Sequence, residues 1–303
     1  MNVVQMVVLI ALASFRPMGQ DIVGPLRSRV LGAALVGRDL IVGRARCQQT
    51  TWLLTEGRRL VAISHRDARV VVREVRSFRA DDAPWGLACV RAGTLWTLAS
   101  PRTLARLDQN GRLQERIDVR PPRVALFSVG ERLLFQPLPF VAGTPLFAAS
   151  RPDLLMETAT WSGPVARSAD SRESVLTRNL VNCGIPNEES IPCWFPDEAQ
   201  IMVSDGTARR STKFPSLEAP GIDRTAPIWD VALLASGRLW VLTKSIRGTT
   251  ERPAGGRLIQ FEPTGIERSA LDLHAGARLI LAATETHCLL LNIHDDLIEV
   301  VPS

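Results

Sequence analysis

A chain of 303 residues, 46% apolar and 22% charged, carries enough apolar matter for a full core and is unlike a disordered chain. Its net charge of +5 rests on arginine, since Lys213 and Lys244 are the only lysines. Arginines such as Arg69, Arg73, Arg76 and Arg79 sit singly between apolar residues, which reads as a solvated basic surface. Nucleic-acid binders concentrate charge on one face and interleave aromatics, so no nucleic-acid partner is expected.

The first residues, MNVVQMVVLIALASF, read as an export signal. Val3 to Ile10 is a short apolar run, and Ala11-Leu12-Ala13 has the small-x-small pattern of a cleavage site. No Lys or Arg precedes the run, which departs from the usual pattern; an uncleaved anchor or a buried segment are the alternatives. Residues 1–20 are assigned as signal and leader and 21–303 as one domain, exported to the periplasm or the medium. No membrane association is expected beyond that signal, and a monomer is expected.

Next in order, the segment TWLLT at 51–55 is followed by RRLVAISHRDARVVVREV, Arg58 to Val75. The same arrangement returns 44 residues later as LWTLA at 95–99 and PRTLARLDQNGRLQERIDV, Pro101 to Val119. It returns again as LWVLT at 239–243 and GRLIQFEPTGIERSALDL, after the insertion SIRGTTERPAGG. These alternating, branched segments end in Gly, Asn or Asp turns and predict strands joined by hairpins. Ahead of two copies lie PWGLACV at 84–90 and IWDVALLA at 228–235, apolar on both faces and therefore strands buried on both sides.

One buried strand followed by three others, about 44 residues long, is the content of a β-propeller blade. Units begin near 40, 84, 123, 174, 228 and 277, and those at 123–160 and 174–214 are less regular. The last supplies three strands, and SRVLGAALV at 28–36 supplies the fourth. The expected fold class is all-β, a six-bladed β-propeller with its last blade closed by an N-terminal strand, which removes an open edge.

The segment DDAPWGLACVRAGTLWTLASPRTLARLDQNGRLQERIDV resembles a blade of the NHL-type and gluconolactonase-type six-bladed propellers. The likeness is carried by Pro84-Trp85-Gly86, Leu95-Trp96 and the turn from Asp108 to Gly111. It implies fold more than activity, because propellers of this style serve as interaction platforms, lactonases and lyases. The lactonases imply a divalent metal held in the channel by carboxylates and amides, for which Asp82, Asp230, Glu173, Asn179 and Asn182 are the available groups. A hard cation needs several converging oxygens, and the sequence does not place these together, so no metal ligand is assigned.

Five cysteines remain to be placed. Cys183 and Cys193 bracket the polar loop CGIPNEESIPC and are assigned as a disulfide, a closure that contributes about 3 kcal/mol. Cys47, Cys89 and Cys288 stand in strand-like contexts and are expected as buried thiols. No cysteine pair has the C-x-x-C spacing of zinc or redox sites. His287 and Cys288 fall on opposite faces of a strand, and neither G-x-S-x-G nor a phosphate-loop motif is present. No catalytic residue is assigned, and no cofactor is identified.

Loops leading into the innermost strands converge on the propeller axis. Asp82, Trp85, Arg123, Asp230 and Arg278 stand at such positions and form the expected ligand-binding set. Mixed charge at a concave mouth suits a polar small molecule or a protein segment. The rival expectation is a metal-assisted hydrolase or lyase acting in the channel. The loop bearing Glu188, Glu189, Asp197 and Glu198, beside Trp194 and Phe195, is either a partner-contacting loop or a hairpin with its aromatics packed down.

Overall fold

The computed structural model describes residues 25–302, apart from short stretches and the longer ones at 79–83, 138–144, 161–181, 215–227 and 245–255. Every element among the described residues is a β-strand. β1 (Leu26–Ala33) comes first. The first sheet is then β2 (Ile41–Cys47), β3 (Thr50–Thr55), β4 (Arg59–Arg66) and β5 (Arg69–Ser77). The second is β6 (Trp85–Cys89), β7 (Leu95–Ser100), β8 (Thr103–Leu107) and β9 (Leu113–Asp118).

The third sheet holds β10 (Arg123–Val129), β11 (Arg132–Pro137), β12 (Pro145–Arg151) and β13 (Leu154–Thr160). The fourth holds β14 (Asn182–Cys183), β15 (Ile191–Trp194), β16 (Gln200–Ser204) and β17 (Arg209–Lys213). The fifth holds β18 (Asp230–Leu233), β19 (Leu239–Lys244), β20 (Gly256–Phe261) and β21 (Glu267–Asp272). The last combines β22 (Ala277–Ala283), β23 (Cys288–Asn292) and β24 (Asp296–Pro302) with β1, which pairs antiparallel to β24 from Leu26 opposite Pro302 to Ala33 opposite Asp296. The pairing segment thus begins and ends two or three residues earlier than the sequence pattern suggests.

The repeat has a packing cause. Trp52, Trp96 and Trp240 occupy one register on the second strand of their sheets, opposite Ala45, Ala88 and Ala232. Cross-strand neighbours on one face share space, so a small residue on the first strand admits the indole beside it. All three tryptophans are buried, each in a cluster that also holds leucines of the strands around it. Trp240 Nε1 donates to the carbonyl of Thr284 at 2.9 Å, and Trp194 Nε1 to that of Ile228 at 3.2 Å, so indoles also bond successive sheets together.

Where the sheets meet, first strands come close enough to demand glycine. A Cβ on Gly43 would lie 2.8 Å from the backbone of Gly86, and one on Gly184 would collide with the backbone of Val231. At the second of these, Ile185 N donates to Val231 O and Leu233 N to Ile185 O, both at 2.9 Å, in a parallel bridge.

The cysteine expectation is corrected at such a meeting. Cys183 and Cys193 form the disulfide expected of them, but Cys47 and Cys89 are bonded to each other, and only Cys288 is a free, buried thiol. Cys47 ends β2 and Cys89 ends β6, and convergence of these two strands brings their Cα atoms to 5.5 Å although 42 residues separate them.

Candidate functional site

The first strand of every sheet contributes to one cavity of about 1100 Å³. Its wall includes Arg44 and Arg46 of β2, Leu126 and Ser128 of β10, and Trp229 and Asp230 at the start of β18. Cys89 and Cys183, one sulfur of each disulfide, border the same space.

Asp230 is 2% exposed and is held from three directions. Arg44 Nη2 donates to its Oδ1 at 2.9 Å while Nη1 donates to Oδ2, a bidentate pair. The backbone N–H of Ile280 donates to Oδ2 at 2.7 Å, and that of Val231 to Oδ1 at 2.9 Å. Arg44 Nη1 also donates to the carbonyl of Ile280 at 2.6 Å. The first, fifth and last sheets therefore meet in one polar knot.

Arg46 lies two residues further along the same face of β2 and has a different environment. Its Nη1 donates to Ala283 O at 3.1 Å and its Nε to Gln48 O at 3.3 Å, both neutral carbonyls. Burial disfavours the charged guanidinium and lowers its pKa from the ordinary value. Behind the wall, burial pushes the Cys288 thiol well above its ordinary pKa, with the Asp230 charge adding to the shift.

Of the five residues expected at the mouth, Asp82 lies outside the described residues. Trp85 and Arg123 are placed on β6 and β10, opposite Leu98 and Pro137, and their side chains lie outside the described set. A bulge at Gly86 brings Trp85 to the register that Asp230 holds opposite Leu242. Arg278 near the start of β22 donates to the carbonyls of Gly37, at 3.2 Å, and Asp39. It ties down the connection between β1 and β2, while Asp230 is engaged by Arg44.

Residues that sequence reasoning missed are Arg44, Arg46 and Trp229. The arginines were expected as solvated surface, yet these two stand in the cavity wall. Trp229 is 42% exposed there, and its Nε1 donates to Arg278 O at 2.7 Å. Available signals were the alternation Gly43-Arg44-Ala45-Arg46 on a first strand and the place of Trp229 beside Asp230. In the acidic loop, Asn187 Oδ1 accepts from the N–H groups of Glu189 and Ser190, and Trp194 is buried, so that tryptophan packs down as one of the two expectations held. Among the described residues, no three of His, Cys, Asp and Glu gather as a metal-binding group, and no helix is long and apolar enough to cross a membrane.

No family model matches this chain and no curated protein sequence matches it. Solved structures do match by fold. A gluconolactonase from Xanthomonas campestris is similar with a TM-score of 0.54 at 16% identity, over 93% of this chain and 91% of that one. A YCF48 structure bound to a D1 peptide gives 0.52 at 11%, over 92% and 98%. A catalytically inactive virginiamycin B lyase from Staphylococcus aureus with quinupristin gives 0.51 at 8%, over 91% and 99%. These likenesses show a propeller-type fold, and at such identities they carry fold alone.

Proposed function

We propose that this chain is an exported six-bladed β-propeller, closed by β1 on its last blade, that binds a polar small molecule or a protein segment through the mouth of its axial cavity. The observation that carries this reading is the single cavity walled by the first strand of every sheet. Concave sites with a few placed polar groups are the usual form of ligand pockets. Asp82, Trp85, Arg123, Asp230 and Arg278 belong to the proposed mouth.

Binding is preferred to metal-assisted hydrolysis because two of the wall carboxylates, Asp230 and Glu285, are engaged by arginine. Asp230 is clamped by Arg44, and Glu285 pairs with Arg238 at 3.2 Å. Export is supported by the two disulfides, which persist in oxidising compartments, and by the apolar run at 3–10. A protein occupant is compatible with the fold, as the YCF48 structure holds a peptide.

A thermal-shift screen of polar small molecules tests the reading, with each bound compound recovered and weighed by mass spectrometry. The expected result is a compound that raises the melting temperature and is recovered unchanged. Recovery of a hydrolysed or eliminated product would replace binding with catalysis.

A further inference from the structure

Arg46 is a cation in the cavity wall with no carboxylate partner among the described residues. Among the described residues, Arg44 is bidentate with Asp230, Glu285 pairs with Arg238, and Glu188 is exposed. None of these carboxylates acts on Arg46, whose bonds go to the carbonyls of Ala283 and Gln48. A guanidinium has five N–H donors in a fixed fork, so donors remain after those two bonds. The two carbonyls also hold the fork in place, which lowers the ordering cost of anything that binds it.

We propose that the cavity binds a small molecule through its oxyanion, a carboxylate or phosphate, seated on the Arg46 guanidinium. This rests on the reading of the axial cavity as a binding site and adds the chemical class of the occupant. Arginine presents paired N–H groups that match the two oxygens of such an anion, a geometry a neutral hydroxyl compound does not return. Burial disfavours the Arg46 cation, and an anion beside it offsets that loss. The volume of about 1100 Å³ holds a small ligand with bridging water. The exposed indole of Trp229 in the same wall offers an apolar face to the remainder of the molecule.

The test is calorimetric titration of the folded protein at low salt with three probes, succinate, inorganic phosphate and glucose. The proteins are wild type, Arg46→Gln, Arg46→Lys and Ser128→Trp, the last placing an indole in the cavity, with each fold checked by its melting curve. Succinate or phosphate is expected to bind wild type, to weaken at least tenfold in Arg46→Gln, to recover partly in Arg46→Lys and to be lost in Ser128→Trp. Anion binding unchanged in Arg46→Gln would overturn the proposal. Glucose binding that Ser128→Trp abolishes, with neither anion bound, overturns the oxyanion and leaves the cavity standing as a site. Binding of none of the three overturns the proposal and counts against the binding site itself.

Discussion

Arg44 and Asp230 are 186 residues apart and form a bidentate ion pair that joins the first sheet to the fifth across the backbone of Ile280. Both side chains are largely withdrawn from solvent, with exposures of 12% and 3%. Removing one partner strands the other charge in a poorly solvated wall, whereas removing both leaves no orphan. Asp230→Ala is expected to cost about 3 kcal/mol or more in urea unfolding, and Arg44→Met with Asp230→Leu to cost less than that single change. A double variant less stable than Asp230→Ala would show that the pair does not act as a unit.

The sulfur assignments predict a labelling pattern. Native protein taken from an oxidising compartment is expected to leave all five cysteines unmodified by iodoacetamide at pH 8, since Cys288 is buried with its thiol pKa raised. In denaturant without reductant, one alkyl group should appear, at Cys288. The link between Cys47 and Cys89 closes a long loop and should contribute about 4 kcal/mol. Peptide mapping that finds Cys47 and Cys89 alkylated without reduction would remove the bond between β2 and β6.

The repeat was most legible in the first, second and fifth sheets, where a buried first strand is followed by a strand bearing Trp52, Trp96 or Trp240. Strand starts at Ile41, Trp85, Arg123, Asp230 and Ala277 fall within two residues of the expected ones, whereas the fourth sheet starts at Asn182 against an expected start near 174. What was not legible lies between sheets. Cys47 and Cys89 read as thiols of separate strands because nothing local reports that two first strands converge; their near-period spacing was the only cue. Arg44 and Arg46 read as surface for the same reason, since an alternating Arg pattern on a first strand faces a neighbouring sheet rather than solvent. Trp229 and Asp230 were read as leading into an innermost strand, but the partner of Asp230 stands at the other end of the sequence.

The pairing of β1 with β24 predicts a truncation phenotype. Arg29 Nε donates to Glu299 Oε2 at 2.6 Å within the β1–β24 pair, and the N–H of Ala34 donates to Asp295 O at 2.7 Å. Deleting residues 21–36 exposes β24 as an unpaired edge, which promotes self-association. The truncated protein is expected to melt at least several degrees lower and to aggregate in light scattering. Unchanged melting and a monomeric profile would sink the proposed six-blade arrangement closed by β1.

Acid should loosen the structure in a defined direction. The Arg59 side chain beside Asp39 and the Arg268 side chain beside Glu262 hold both carboxyls below their ordinary range. Groups with lowered folded pKa contribute stability above their unfolded values and lose it as pH falls through the folded ones. Stability is therefore expected to be flat near neutrality and to fall from about pH 4 downward. Asp39→Asn with Glu262→Gln should flatten that fall in pH-dependent urea titrations; an equally steep loss in the double variant would assign it to other carboxyls.

We propose that whatever this protein binds enters the cavity lined by the first strands of the six sheets. Ser128→Trp adds an indole to that space from β10 and replaces neither Arg44 nor Asp230. The direct measurement is a calorimetric titration of wild type and Ser128→Trp, side by side, with a compound that stabilises wild type. The account predicts binding to wild type and at least a tenfold loss in the variant, with melting temperatures of the free proteins within a few degrees. Equal affinity in both would contradict it and move the site to the outer surface.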